Sequence, residues 1–322
     1  MNRFFFLLII SQLCLMQSFS QDYFNLRLSF YHPSVWNTSN SIVLQNDGYV
    51  IIGSTGAPEN FYWHRIGVIK VDNQGNEQWV NTYGSDTEEY YGGYPGSTKV
   101  LHNQEYLFCG SKGCFFDDLF YHRGLLIKFD TNWGVTWIKD YGDNSIAADT
   151  SITFFQFDIC HDNSFIVTGF EYYFGSFSKP IIKKIDNEGN VQWTKRFSSN
   201  LIHEGRSVAT TSDSGFVIGT YRYTPGQPYT ADPIIYKTDS LGNIEWTKNL
   251  GGPYMDYYPT VKVAPDGRII VATCYADSMA APDIAYRRIN LVNVDNNGNI
   301  LWNRKYCNST AYNYLSNIEI SS

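Results

Sequence analysis

The sequence has few positively charged residues and, after its first 20 residues, no long apolar run. It contains 24 Lys and Arg against 31 Asp and Glu, which gives a formal net charge of −7 at pH 7. Nucleic-acid binding needs a basic face, so we expect no nucleic acid as a partner. A membrane-spanning helix needs about 18 consecutive apolar residues, and none of the segments has them. We therefore predict no transmembrane segment.

Motifs that mark common active sites are also missing. The sequence has no His-Glu-x-x-His, no Gly-x-Ser-x-Gly, no phosphate-binding loop and no Cys-x-x-Cys. The residues around Asp295 lack the alternating acids of a calcium loop. We predict no metal site and no cofactor. Glycoside hydrolysis, which needs only two suitably placed carboxylates, stays open.

Cysteine is scarce, and the number left after the signal segment is odd. Six cysteines include Cys14; the other five are Cys109, Cys114, Cys160, Cys274 and Cys307. An odd number leaves at least one thiol unpaired within a monomer. In an oxidising compartment, Cys109–Cys114 and Cys274–Cys307 are candidate disulfides.

Residues 1–20 have the pattern of a secretory signal peptide. Arg3 provides a positive start, Phe4–Ile10 a short apolar core, and Ser18–Ser20 the small residues before a cleavage site. We predict cleavage between Ser20 and Gln21 and a secreted or cell-surface protein. Residues 21–39 then form an N-terminal segment, and residues 40–322 the folded domain.

What the sequence has in abundance is aromatic residues and one repeated phrase. Aromatics make up 17% of the chain, which favours an all-β fold. The phrase Asp-x-x-Gly-x-x-x-Trp occurs five times, with Trp133 in the glycine position of the second copy. Its tryptophans lie 58, 56, 53 and 56 residues apart: Trp79, Trp137, Trp193, Trp246 and Trp302. Such regularity indicates an internal structural repeat.

Each repeat predicts four antiparallel strands, A to D. A turn and an apolar strand that often ends in Gly precede every copy, and the Asp-x-x-Gly turn suits a hairpin. Four-stranded units repeated radially form a β-propeller. We predict five complete blades, with the repeated Trp packed against the neighbouring blade. Lysine stands two places before the Asp in four copies, as a scaffold residue: Lys70, Lys128, Lys184 and Lys237.

The two ends of the repeat region leave an alternative open. Leu315–Ile320 has the pattern of a further strand A, and Phe24–Phe30 that of a strand D. The two would form part of an incomplete sixth blade. Alternatively the chain is truncated, and a missing C-terminal segment attaches the protein to the outer surface of a Gram-negative bacterium.

These phrases resemble the secreted β-propeller repeat of bacteria, with Lys237–Trp246, Gly251-Gly252 and Asp266-Gly267 matching it best. The pattern is also similar, more loosely, to the tryptophan-docked blades of quinoprotein dehydrogenases. The resemblance covers about residues 40 to 320. It implies an architecture and no activity, because the recurring residues are structural.

Four-stranded blades place the B–C and D–A connections on one face, and we predict that these are long loops that carry the ligand site. Aromatic walls with a few polar groups are typical of ligand sites. Candidates from the B–C loops are Tyr62, Trp63, His64, Arg65, Phe120, Tyr121, His122 and Arg123. Candidates from the D–A loops are Glu88, Glu89, Asp149, Glu204 and Asp256.

His64 and His122 occupy the same register in adjacent blades, each eight residues before its repeat Asp. Either they form a shared site, or two neighbouring blades kept one packing solution after a duplication.

Three functions are compatible with this pattern. The leading hypothesis is an extracellular binding module for a glycan or a protein. The alternatives are a polysaccharide-active glycosidase or lyase that uses the D–A carboxylates, and a structural propeller of a larger surface protein.

Overall fold

The computed structural model describes residues 37–57, 60–85, 88–116, 119–142, 150–173, 177–197, 201–224, 230–281, 284–307, 315 and 317–320. The predicted signal peptide and the strand predicted at Phe24–Phe30 lie outside these residues. All regular elements of the described residues are β-strands. The described residues contain no helix that is long and apolar enough to span a membrane.

The chain forms five antiparallel sheets in sequence order, which confirms the predicted propeller. Blade 1 contains β1 (Asn37–Gln45), β2 (Gly48–Ala57), β3 (Asn60–Asp72) and β4 (Glu77–Tyr83). Blade 2 contains β5 (Glu89–Gly92), β6 (Thr98–Val100), β7 (Tyr106–Phe116), β8 (Leu119–Phe129) and β9 (Val135–Tyr141).

The other three blades have four strands each. Blade 3 contains β10 (Thr150–Ile159), β11 (Phe165–Tyr173), β12 (Phe177–Ile185) and β13 (Val191–Arg196). Blade 4 contains β14 (His203–Thr210), β15 (Phe216–Thr224), β16 (Thr230–Thr238) and β17 (Ile244–Asn249). Blade 5 contains β18 (Tyr257–Val263), β19 (Ile269–Ala281), β20 (Ile284–Val294) and β21 (Ile300–Tyr306).

The first strand of each blade lies nearest the propeller axis. Consecutive first strands contact one another, as β10 contacts β14 and β14 contacts β18. Side chains also join them: Ser41 Oγ accepts from Thr98 N at 3.1 Å, and Ser207 Oγ accepts from Val261 N at 3.0 Å. The blades are separate sheets, and these bonds hold the inner strands of neighbouring blades in register.

The repeated Asp forms the hairpin turn between the last two strands of a blade. In the third copy, Asp186 Oδ1 accepts from the backbone N–H groups of Glu188 and Asn190 at 3.1 and 2.7 Å. Gly189 has φ +82°, a left-handed conformation that glycine adopts without a Cβ clash. Trp133 takes the same conformation in the second copy, with φ +66°, and stacks on Tyr106 at 4.1 Å between ring centroids.

The repeated Trp packs on the next blade, as predicted. The indole Nε1 of Trp246 donates to Asn296 O at 2.9 Å, in the turn of blade 5. A Cβ built on Gly242 would lie 3.1 Å from Trp193 Cη2. Glycine in this turn is therefore needed for two reasons, its positive φ and the close approach of the neighbouring indole.

The repeated Lys is a scaffold residue, as predicted. Lys237 is fully buried and pairs with Asp213 and Glu245, both at 2.8 Å. Lys184 pairs with Asp162 at 2.7 Å, so the lysine ties the third strand to the first turn of the same blade. Buried charges are tolerated when they are paired in this way.

Apolar clusters fill four of the interfaces between successive blades. Each cluster contains residues of two neighbours: blades 1 and 2, 2 and 3, 3 and 4, and 4 and 5. The opposite face of blade 1 is different. Its cluster of Ile69 and Val71 includes no described residue of another blade, and Ile42 and Leu44 on β1 are 64% and 72% exposed.

Two predictions about loops and strands were wrong. The B–C connections are not long loops in blades 1, 2 and 5, because β2–β3, β7–β8 and β19–β20 extend as long hairpins. Residues 317–320, predicted as part of a further strand, form no strand. They lie beside blade 5 instead, where Glu319 pairs with Lys262 at 3.1 Å.

Neither candidate disulfide is formed. Cys109, Cys160 and Cys274 are buried free thiols, and Cys307 is an exposed one. Cys109 and Cys114 lie five residues apart on the single strand β7, a separation of about 16 Å in an extended chain. A disulfide requires a Cα separation below about 7 Å, so these two cannot be bridged.

Candidate functional site

The innermost strands share an irregularity that the sequence did not reveal. The strand pairing shifts register between Ser39 and Ser41 in blade 1, and between Phe154 and Gln156 in blade 3. It shifts again between Gly205 and Ser207 in blade 4, and between Tyr257 and Thr260 in blade 5. In blade 2, the gap between β5 and β6 takes the same place. A bulge re-aims the extra residue, and bulges are common beside active sites.

Residues from four of these irregularities meet near the propeller axis, and we call them the bulge cluster: Tyr94, Phe155, Arg206 and Tyr258. The ring centroids of Tyr94 and Phe155 lie 4.5 Å apart, and those of Tyr94 and Tyr258 lie 6.4 Å apart. The guanidinium carbon of Arg206 lies 4.7 Å from the Tyr94 and Phe155 ring centroids. It lies 5.3 Å from that of Tyr258, within the range of a cation–π interaction.

A pocket of about 320 Å³ opens beside the bulge cluster. Its walls come from blades 2 to 5 and from one residue near the C-terminus: Tyr94, Pro95, Gln156, Arg206, Tyr258, Pro259, Thr260 and Leu315. Gln156 is buried and braces the wall, because its amide donates to Pro95 O at 3.1 Å and accepts from Val208 N at 3.2 Å. The volume lies at the lower end of the range for small-molecule sites.

Arg206 carries the positive charge of this pocket. Its Nη2 donates to the Glu204 carboxylate, two residues earlier on β14. No described residue accepts a hydrogen bond from its buried Nε and Nη1 atoms. Burial lowers the pKa of Arg206 to about 10, so the guanidinium is still charged at neutral pH.

Glu204 is a buried acid behind the pocket wall. Burial raises the pKa of this carboxyl to about 7, while the guanidinium of Arg206 opposes the shift by stabilising the carboxylate. Glu204 was one of the predicted site residues, and the structure places it beside the pocket.

Tyr258 is held in a strained backbone conformation. Its φ is +54°, which is uncommon for a bulky residue, and the following Pro259 disfavours helical conformations before it. Such strain persists only where the surroundings impose it, and it concentrates at functional sites. Here it directs the Tyr258 ring toward Tyr94 and Arg206.

Asp256 lies just before β18 and is fully buried. Its two carboxylate oxygens accept from Gly252 N and Ala276 N, both at 2.5 Å. Burial raises its pKa to about 7. Asp256 therefore organises the loop that precedes Tyr258, and it does not line the pocket.

The two predicted histidines contact the same aromatic ring, and the shared site stays a prediction. The ring centroids of His64 and His122 lie 4.9 and 5.7 Å from that of Tyr91. The Tyr91 hydroxyl donates to the predicted site residue Glu89. Burial is the main cause that raises the pKa of Tyr91, and burial also lowers the pKa of His122.

The remaining predicted site residues divide into three groups. Glu88 pairs with Lys112 at 2.7 Å and Arg123 with Asp140 at 2.8 Å, in a charged network across blade 2. Arg65 and Tyr121 lie on β3 and β8 rather than in loops. The side chains of Tyr62, Trp63 and Phe120, and the whole of Asp149, lie outside the described part of the structure.

Sequence reasoning missed most of the pocket, because Gln156, Arg206 and Tyr258 belong to inner strands and Tyr94 to the gap between β5 and β6. One signal could have found it. Apolar residues alternate along β10 at Ile152 and Phe154, and the alternation then slips by one position to Phe155 and Phe157. A slip in alternation marks a bulge, and the bulge marks the residue that is turned toward the propeller axis.

No group of three or more His, Cys, Asp and Glu side chains in the described residues is arranged to hold a metal ion.

The similarity of this chain to known proteins lies in its fold. No protein-family model matches the chain, and no curated protein matches its sequence. Among solved structures, a GH32 beta-fructofuranosidase of Bombyx mori is similar with a TM-score of 0.46 at 8% identity, over 81% of this chain and 61% of that protein. A sucrose-6-phosphate hydrolase from Lactobacillus gasseri has a TM-score of 0.46 at 13% identity, over 81% and 59%.

An ulvan lyase of polysaccharide lyase family PL25 has a TM-score of 0.48 at 10% identity, over 82% of this chain and 69% of the lyase. The chain thus spans less than two thirds of the length of the two hydrolases. By name, all three are enzymes that act on carbohydrates, which is also the class of the glycosidase or lyase alternative. At these TM-scores the likeness carries no conclusion about activity, and the strand topology of the chain itself establishes the fold.

Proposed function

We propose that this propeller is a carbohydrate-active protein that holds a sugar residue of a polysaccharide in the pocket beside the bulge cluster. The observation that carries the proposal is the wall of this pocket, which combines the rings of Tyr94 and Tyr258 with the polar groups of Gln156 and Arg206. Flat aromatic faces suit the apolar faces of sugar rings, and a few fixed polar groups orient the hydroxyls. The pocket volume of about 320 Å³ favours a sugar over a protein surface.

Recognition without chemistry and recognition followed by cleavage both begin with this complex. One observation favours cleavage: Glu204 contacts the pocket residue Arg206, and burial raises the pKa of its carboxyl to about 7. An acid that is protonated near neutral pH can donate a proton to a leaving group. One observation favours a binding module: no carboxylate is part of the described pocket wall, whereas glycoside hydrolysis needs two beside the scissile bond.

A polysaccharide panel tests both forms in one experiment. Tyr94→Ala removes one wall of the pocket, and we expect it to weaken carbohydrate binding about tenfold or more, as for the loss of a central aromatic anchor. The matched control is Tyr306→Ala, because Tyr306 is 43% exposed on the outermost strand of blade 5. Isothermal titration with oligosaccharides from the panel measures the affinity.

Product release on the same panel separates the two forms. New reducing ends, or the ultraviolet absorbance of an unsaturated product, would establish cleavage if Glu204→Gln abolishes it. Binding with no product would establish a binding module. Failure of every panel member to bind, or equal binding by Tyr94→Ala and the native protein, would contradict the proposal. Export from the cell stays a prediction from residues 1–20.

A further inference from the structure

The cation of the pocket is only partly neutralised by the protein. Glu204 accepts a hydrogen bond from Nη2 of Arg206, whereas Nε and Nη1 have no acceptor among the described residues. A guanidinium has five N–H donors, and buried donors without acceptors are costly. The other groups around it are the neutral rings of Tyr94, Phe155, Tyr221 and Tyr258.

Among the described residues, no negative charge competes for the pocket side of this arginine. Glu204 is the one carboxylate that contacts Arg206 among the described residues, and it does not line the pocket. Arg206 itself does line the pocket, and its side chain is 12% exposed. In such a poorly hydrated site, a guanidinium binds a carboxylate or a sulfate more strongly than it binds a hydroxyl.

We propose that the ligand of this pocket is an acidic carbohydrate, whose uronate carboxylate or sulfate group binds Arg206 while its ring packs on Tyr94 or Tyr258. This inference rests on the proposed function, because it names the class of sugar for the same pocket. The whole chain has a formal net charge of −7, which repels polyanions. Binding of an acidic carbohydrate would therefore depend on Arg206 and not on the overall charge of the protein.

Two pairs of carbohydrates test the inference and distinguish the two anions. Oligogalacturonate is compared with its methyl ester, and dextran sulfate oligomers with dextran oligomers. We expect the native protein to bind the charged member of at least one pair about tenfold or more tightly than the neutral member. The pair that shows the preference identifies the anion as carboxylate or sulfate.

Variants of the Arg206–Glu204 ion pair are chosen so that a loss of binding does not result from misfolding. Arg206→Gln alone would leave Glu204 buried without its partner, so the main variant is Arg206→Gln with Glu204→Gln, in which both charges are removed. We expect this double variant to lose the preference, so that it binds the charged and the neutral member with similar affinity. Glu204→Gln alone leaves the cation uncompensated, and we expect it to bind the charged member about tenfold more tightly than the native protein does.

The control is Arg268→Gln, because Arg268 pairs with Asp266 at the same two-residue spacing but is 50% exposed in the turn between β18 and β19. It should keep the native preference. Equal affinity for charged and neutral members, or a preference that survives in the double variant, would overturn the inference and leave the proposed function standing. Failure of all four carbohydrates, together with the polysaccharide panel, would overturn the proposed function itself.

Discussion

At the scale of single residues, the chain places unusual side chains where the backbone is irregular. Tyr258 combines a positive φ of +54° with a position in the pocket wall, and Arg206 combines burial with donors that no described residue accepts. Both residues are extra residues in bulges, so neither contributes to the regular pairing of its strand. Their placement costs stability that other contacts must offset.

Tyr258→Gly separates stability from binding. Glycine adopts a positive φ without strain, so relief of about 1 to 2 kcal/mol should offset much of the lost ring packing. We expect the free energy of unfolding in urea to stay within about 1 kcal/mol of the native value, while carbohydrate affinity falls about tenfold or more. The control Ser214→Gly relieves a φ of +64° in a turn of blade 4, outside the pocket wall. Unchanged affinity in Tyr258→Gly would remove this residue from the site.

At the scale of elements, the repeated hairpin turn performs two tasks. Its Asp accepts backbone hydrogen bonds, as Asp239 does from Leu241 N at 2.9 Å and Asn243 N at 2.8 Å. Its Gly admits the tryptophan of the preceding blade. The turn was predictable from sequence because the hydrogen bonds of its Asp and the positive φ of its Gly depend on residues that are close together in the chain.

Two glycines with similar φ angles separate the cost of backbone strain from the cost of crowding the tryptophan. Gly242 has φ +77°, and a Cβ there would lie 2.8 Å from Lys195 Cγ and 3.1 Å from Trp193 Cη2. Gly267 has φ +82°, and a Cβ there would meet only Ser212 Oγ, at 3.6 Å. We expect Gly267→Ala to cost about 1 to 2 kcal/mol through strain alone. Gly242→Ala should cost about 1 to 3 kcal/mol more through overpacking.

Urea unfolding of both variants measures the difference between the two costs. Equal costs would show that the tryptophan contact does not constrain this turn.

At the scale of the whole molecule, the interfaces between blades are not equivalent. Four of them contain an apolar cluster shared by two blades, whereas the face of blade 1 that carries Ile42 exposes it to 64%. In blade 3, Phe157 has the corresponding register and is fully buried. Blade 1 is therefore packed on one side far better than on the other.

Two isoleucines on opposite faces of blade 1 test this asymmetry. Ile52 is fully buried in the cluster shared with blade 2, so Ile52→Ala should lower the free energy of unfolding by about 2 to 5 kcal/mol. Ile42 is mostly exposed, and Ile42→Ala should change it by less than about 0.5 kcal/mol. Similar losses in urea unfolding would show that the face with Ile42 is covered in solution.

The sequence by itself determined the blades. Strand alternation, turn chemistry and the tryptophan repeat are local patterns, and each of them names its own element without knowledge of the rest of the chain. The same patterns identified Glu204 and the paired histidines His64 and His122 as candidates, because these residues stand next to recognisable strands.

Only the tertiary structure decided which residues form the pocket. Tyr94, Gln156, Arg206 and Tyr258 come from four blades, more than 45 residues apart along the chain at each step. Their convergence depends on the circular arrangement of the sheets and on a one- or two-residue slip in each inner strand. A slip of one residue reverses the face on which a side chain lies, and a local pattern cannot show which residues from other blades it then meets.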